Sequence, residues 1–201
     1  MMSRTHLAIG LAVSLATIQP TTFHECAVAV IGGAVGGVLA DNDSLGRDYQ
    51  SKVLCGQLVA FAAAFAAFAL DCFAGFGIWR SVVDQPIRSM IGGIAFVVLY
   101  FAGMSFRHRT FTHSFLAMFS YATATAFICM PVSKALAVAY CSHLFLDVLN
   151  KKKVYLLYPL NVGICFKICY ADKTANKVFL YIGLGVSGIL LTAGIITGFS
   201  A

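Results

Sequence analysis

Charge is what this sequence has least of. Only 11% of its 201 residues are Asp, Glu, Lys or Arg, whereas 60% are hydrophobic and the mean hydropathy is +0.86. Soluble domains carry about 25% charged residues, so this chain cannot cover a water-facing surface and an ordinary soluble fold is excluded. Acidic residues are scarcer still, 8 against 14 Lys and Arg, for a net charge of +6. The basic residues sit in short gaps between apolar runs and form no stripe or tail, which argues against a nucleic-acid partner. Proline is sparse, at 4, while 18 glycines suit closely packed membrane helices. The seven cysteines (26, 55, 72, 129, 141, 165, 169) are odd in number and lack C-x-x-C spacing. A disulfide framework or zinc ribbon is therefore disfavoured, and small buried apolar side chains are expected. A cleavable leader is also not expected: the apolar stretch after Arg4 has no small-x-small site and precedes further membrane segments.

What is present is a series of apolar runs at 7–18, 26–40, 53–78, 90–104, 114–130, 133–149 and 178–199. They predict an all-α, polytopic membrane helical bundle of seven segments in a single domain, 1–201. The first two are short for crossing independently, which leaves open a re-entrant or buried helical pair. Gly32-x-x-x-Gly36 and Gly33-x-x-x-Gly37, with Gly92–Gly93 and with Gly183, Gly185 and Gly188 in the last run, point to close helix packing. The 154–177 stretch reads as an amphipathic connector at the interface.

Alternating the side at each segment places Arg4, Arg47, Lys52, Arg107, Arg109, Lys151, Lys152, Lys153, Lys167, Lys173 and Lys177 on one side, against Arg80, Arg88 and Lys134 on the other. Inside-positive bias then predicts a cytoplasmic N-terminus and an outward C-terminus. Lys151–Lys153 reads as a topology anchor in anionic headgroups.

Ionisable groups at membrane depth are expensive, so each needs an account. On this topology His6, Asp41, Asp43, His108, His113, His143 and Asp147 all fall at the cytoplasmic ends of their segments, and only His24 lies opposite. Four-residue spacing brings His143 and Asp147 to one helical face, where they would share a metal, or Asp147 would orient a ligating His143, or the two would pair to fix packing. The Arg107–Ser114 insert is either a solvated loop, with Thr112 or Ser114 as N-cap, or a donor of His108 and His113. Asp41-Asn42-Asp43 either ends a helix in a turn or supplies carboxylates. Coincidence of the three patterns on one membrane face favours a metal site.

Thr5-His6-Leu7, Asp41-Asn42-Asp43, His108–Ser114, and Ser142–Asn150 followed by Leu156-Leu157-Tyr158-Pro159 resemble the YdjM-like family of LexA-regulated inner-membrane, metal-dependent hydrolases, itself distantly similar to zinc-dependent phospholipase C. The resemblance implies His6, Asp41, Asp43, His108, His113, His143 and Asp147 as metal ligands. Two positions depart from the pattern: Ser44 stands where members often have His, and Asn176 and Lys177 where they often have an acidic residue.

The expected function is a hydrolase in the bacterial inner membrane, with one or two Zn²⁺ or Mn²⁺ ions and a phospholipid or lipid-linked phosphate as substrate at the cytoplasmic leaflet. Arg109 is the candidate to neutralise a phosphoryl group, and Asp43 is a second candidate for a catalytic role. The rival is a non-enzymatic protein, either a small ion- or proton-coupled transporter or a structural subunit. Asp71, inside the longest apolar run, is the residue that would favour transport.

Overall fold

The computed structural model describes residues 2–44, 50–75, 77–168 and 174–200, so Arg47, Cys169, Lys173 and Ala201 lie outside the described residues. Among those described, eight α-helices follow one another: α1 (Ser3–Ile18), α2 (Phe23–Leu39), α3 (Gln50–Ala74), α4 (Gly77–Val83), α5 (Pro86–Ser105), α6 (Phe115–Ile128), α7 (Met130–Val148) and α8 (Thr174–Ser200). The architecture is an all-α membrane-type bundle.

Among the described residues four helical stretches are long and apolar enough to cross a membrane, Phe23–Ser44, Ser51–Phe73, Pro86–Ser105 and Thr174–Ser200, fewer than the seven segments expected. Length explains two of the shortfalls. The 16 residues of α1 and 14 of α6 rise roughly 24 and 21 Å, short of a hydrocarbon core about 30 Å thick. Polarity explains another, since α7 carries Ser133, Lys134, Ser142, His143 and Asp147.

Glycine decides what surrounds α2. A Cβ on Gly33 would lie 2.8 Å from the Ser14 side chain and one on Gly37 2.7 Å from the His6 carbonyl, so this face admits the backbone of α1. On the other face a Cβ on Gly36 would lie 2.5 Å from the Leu136 carbonyl and one on Gly32 2.7 Å from the Leu136 nitrogen, admitting α7. With α3 also against it, the span containing α2 is 72% buried. The first two segments are thus a buried pair. In α8 only part of the glycine reading holds: Gly183 packs on Ala8 and Ile9, but Gly185 and Gly188 meet nothing within 4 Å. Lipid-sized side chains point outward from α3, α5 and α8, among them Phe65, Ile87, Ile189 and Phe199, a shell that water would not tolerate. The cysteines are divided: Cys26 and Cys129 are buried, but Cys55 and Cys141 are exposed.

The expected third segment breaks in two. Gly75 takes φ 133°, open to glycine alone, and separates α3 from α4. Asp71, in the last turn of α3, accepts the Ile78 N–H at 2.7 Å and lies 2.7 Å from His24 Nδ1 at the start of α2. It therefore belongs to the bundle end opposite His6, and its partners are local. The 154–177 connector is irregular over 154–168, closed by one antiparallel bridge between Val154 and Ile164.

Candidate metal centre

The α2 helix tightens into a 3-10 turn over Ala40–Ser44, and a second such turn, Phe111–His113, leads into α6. Ser114 caps α6 by accepting the Ala117 N–H, which fixes His113 just outside the helix. His6 lies in the first turns of α1, and His143 and Asp147 in the last turns of α7. The structure thereby brings His6, Asp41, Asp43, His108, His113, His143 and Asp147 to one end of the bundle. They form three overlapping groups of donors: His6, His143 and Asp147; Asp41, His113 and His143; Asp43, His108 and His113.

Of the inner five, His6, His113 and His143 are fully buried and Asp147 nearly so, while Asp41 is 7% exposed. His6 Nε2 lies 3.3 Å from Asp147 Oδ1, and His113 Nε2 lies 3.2 Å from Asp147 Oδ2. Asp41 Oδ1 stands 3.7 Å from His143 Nε2 and 3.9 Å from His113 Nε2. The rings of His6 and His143 stack at 3.7 Å. Yet these three Nε2 atoms, and His6 Nδ1, make no hydrogen bond. They approach carboxylate oxygens without facing them. A buried polar atom left unpaired costs about 1–3 kcal/mol, so four of them would consume much of a typical stability of about 5–15 kcal/mol.

A cation bound by the three Nε2 atoms would remove most of that cost, leaving only His6 Nδ1 unpaired. Bonds of 2.0–2.2 Å in tetrahedral coordination put neighbouring donor atoms roughly 3.3–3.6 Å apart, close to the separations found. His143 is already set in the required tautomer. Its Nδ1–H donates to the Gly37 carbonyl at 2.8 Å, leaving the Nε2 lone pair free. Gly37 O is one of the carbonyls that the end of α2 leaves without a helical partner. Because Nδ1 is so occupied and Nε2 is unbonded, His143 and Asp147 are not joined by the packing hydrogen bond that their spacing also allowed. His143 has one lone pair to offer, whereas Asp147 turns Oδ1 toward His6 and Oδ2 toward His113.

Asp43 holds the outer layer. Its Oδ1 lies 2.7 Å from His108 Nδ1, and its Oδ2 accepts from the Arg109 N–H at 3.0 Å and from Thr112 Oγ1. His113 Nδ1 is 3.3 Å from the same Oδ2. Arg109 adopts φ 69°, a left-handed conformation that costs a non-glycine residue. That turn folds its guanidinium back, with Nη2 3.4 Å from Asp147 Oδ2 and Nη1 donating to the Lys152 carbonyl at 3.1 Å. Burial alone would lower the His113 pKa; Asp43, then Asp147, outweighs it and lifts the imidazole to about 9. A metal ion must therefore compete with a proton here.

The two departures from the family pattern are also placed. Ser44 Oγ lies 3.0 Å from His108 Nδ1, where it supports the outer layer. Asn176 Oδ1 accepts from the Met2 N–H at 3.1 Å and Thr5 Oγ1 at 2.9 Å, tying the start of α8 to the start of α1 beside His6. Sequence reasoning missed Gly37 as an acceptor, Thr112 as a donor to Asp43, and Tyr140, whose hydroxyl donates to the Thr112 carbonyl. A glycine carbonyl leaves no signal in a sequence. Thr112 had one, since it stands inside the histidine-rich insert.

Neither the curated proteins nor the solved structures yield a match. The family model described as YdjM inner membrane protein, in contrast, matches residues 1–199, a span that takes in every donor described above and all but the last residue of α8. The chain belongs to the YdjM inner membrane protein family.

Proposed function

We propose that this chain is a multi-pass, divalent-metal-dependent hydrolase of phosphate esters, acting on a phospholipid or lipid-linked phosphate at the cytoplasmic leaflet. The observation that carries the reading is the set of buried, unbonded imidazole nitrogens of His6, His113 and His143, gathered around the carboxylates of Asp41 and Asp147. Neutral imidazole and carboxylate are ligands for Zn²⁺ and Mn²⁺. When bound, such an ion would supply Lewis acidity and an acidified water for attack at phosphorus.

The protein's own groups divide the remaining work. Asp41, His113 and His143 would hold one ion, and His6 and Asp147 would hold a second beside it. Asp43 orients His108 and His113 through their Nδ1 atoms. Arg109 supplies planar donors for phosphate oxygens, exchanging the Lys152 carbonyl for substrate. His108, 28% exposed at the side chain, marks where the buried cluster meets the outside. A site at the ends of the spans meets headgroups before any soluble ester. The transport alternative loses its main residue, because Asp71 pairs with His24 and the α4 backbone at the far end.

The test is a purified, reconstituted preparation offered a panel of phospholipids and lipid-linked phosphates. Release of phosphorylated headgroup or free phosphate is expected, lost on chelation and restored by Zn²⁺ or Mn²⁺. No release across the panel, from protein shown to hold metal, would reduce the cluster to a structural role.

A further inference from the structure

Residues 151–168 leave the end of α7 and pack beside the candidate site, against Arg109 and the start of α6. The backbone is tied down throughout. Val154 and Ile164 exchange two hydrogen bonds of 2.9 Å, the Phe166 and Ile168 N–H groups donate to the Val148 and Leu149 carbonyls at the end of α7, and Tyr155 N–H donates to the Arg109 carbonyl. Phe115 N–H donates to the Leu156 carbonyl, which stitches the excursion to the start of α6.

Its side chains contradict a water-facing loop. Leu157, Leu160, Val162, Phe166 and Ile168 are 48%, 61%, 51%, 58% and 66% exposed. Lys152, Lys153 and Lys167, also exposed, flank them. An ordered backbone presenting an apolar tip between cations fits a hydrocarbon boundary beneath anionic headgroups. Depth agrees, because the excursion begins where α7 stops at Val148 and precedes the start of α8 at Thr174. The same end of the bundle carries Ser105 and Phe115.

We infer that residues 151–168 form an interfacial anchor that inserts Leu157, Leu160 and Val162 into the leaflet on the metal-site side, with Lys152, Lys153 and Lys167 binding the headgroups of anionic lipid. The partner is the lipid surface itself. Through its bonds to Arg109 and Phe115 the anchor would hold the candidate site at headgroup depth. Insertion does not depend on the hydrolase reading, since its test reads tryptophan emission and needs neither metal nor turnover.

The chain has a single tryptophan, Trp79 in α4 at the other end. In a Trp79→Phe background, Leu160→Trp and, separately, Val162→Trp would be reconstituted in nanodiscs of phosphatidylcholine, with or without phosphatidylglycerol. Val97→Trp, on the outward face of α5 at mid-span, reports correct reconstitution through quenching by lipids brominated deep in the acyl chain. Expected results are blue-shifted emission at 160 and 162, quenching by lipids brominated near the headgroup, and at least twofold stronger quenching with phosphatidylglycerol. Lys152→Gln, Lys153→Gln and Lys167→Gln together should abolish that increment. Water-like, unquenched emission at both positions, beside a quenched Val97→Trp control, would overturn the anchor. Quenching indifferent to phosphatidylglycerol would overturn the role of the lysines.

Discussion

His143 shows why a buried histidine here is more than packing. One ring nitrogen is spent on the Gly37 carbonyl, and the other, fully buried and unbonded, stands 3.7 Å from Asp41 Oδ1. If it is a ligand, His143→Ala and Asp147→Asn should each remove or greatly weaken one bound ion while helix content stays nearly constant, as read by metal analysis and circular dichroism. Lys134→Gln, exposed at the opposite end, should change neither. Asp43→Asn should act more mildly, lowering metal affinity roughly 10–100-fold, as loss of a ligand-orienting carboxylate does. Every donor in the three groups was legible as a polar residue at the end of an apolar run. Their division into an inner set and an orienting set was not, because it depends on which ring nitrogen meets which oxygen.

The helices owe their arrangement to residues with no side chain. Gly32 and Gly36 face α7 while Gly33 and Gly37 face α1, so two interleaved glycine pairs place the starts and ends of three helices together. Gly36→Val would force a Cβ to 2.5 Å from the Leu136 carbonyl, and the expected loss is at least about 1–3 kcal/mol. Gly93→Ala, with nothing within 4 Å, should be close to neutral; thermal unfolding of both variants in detergent decides it. This pattern could be read from spacing alone. The division of the third apolar run could not, since hydropathy continues across Gly75 and the break depends on its φ of 133° and on Asp71 meeting the Ile78 N–H. The crossing lengths of α1 and α6 were likewise blurred, because apolar composition marks burial in protein as well as in lipid.

At the scale of the whole molecule, the ionisable side chains divide between the two ends. One end gathers the seven candidate donors with Arg109; the other holds His24 with Asp71. The excess of Lys and Arg predicted for the first end would place it at the cytoplasm. In a cysteine-free background, Lys152→Cys should label from the cytoplasmic side and Lys134→Cys from the other, and labelling of both from one side would break the topology on which a leaflet-specific substrate rests. The central claim, that the buried His/Asp cluster is built around metal, is tested most directly by elemental analysis of protein purified without a metal-binding tag and under mild conditions. One or two Zn or Mn ions per chain are expected. Protein that is folded yet free of metal, and that takes up none on exposure to Zn²⁺ or Mn²⁺, would contradict it.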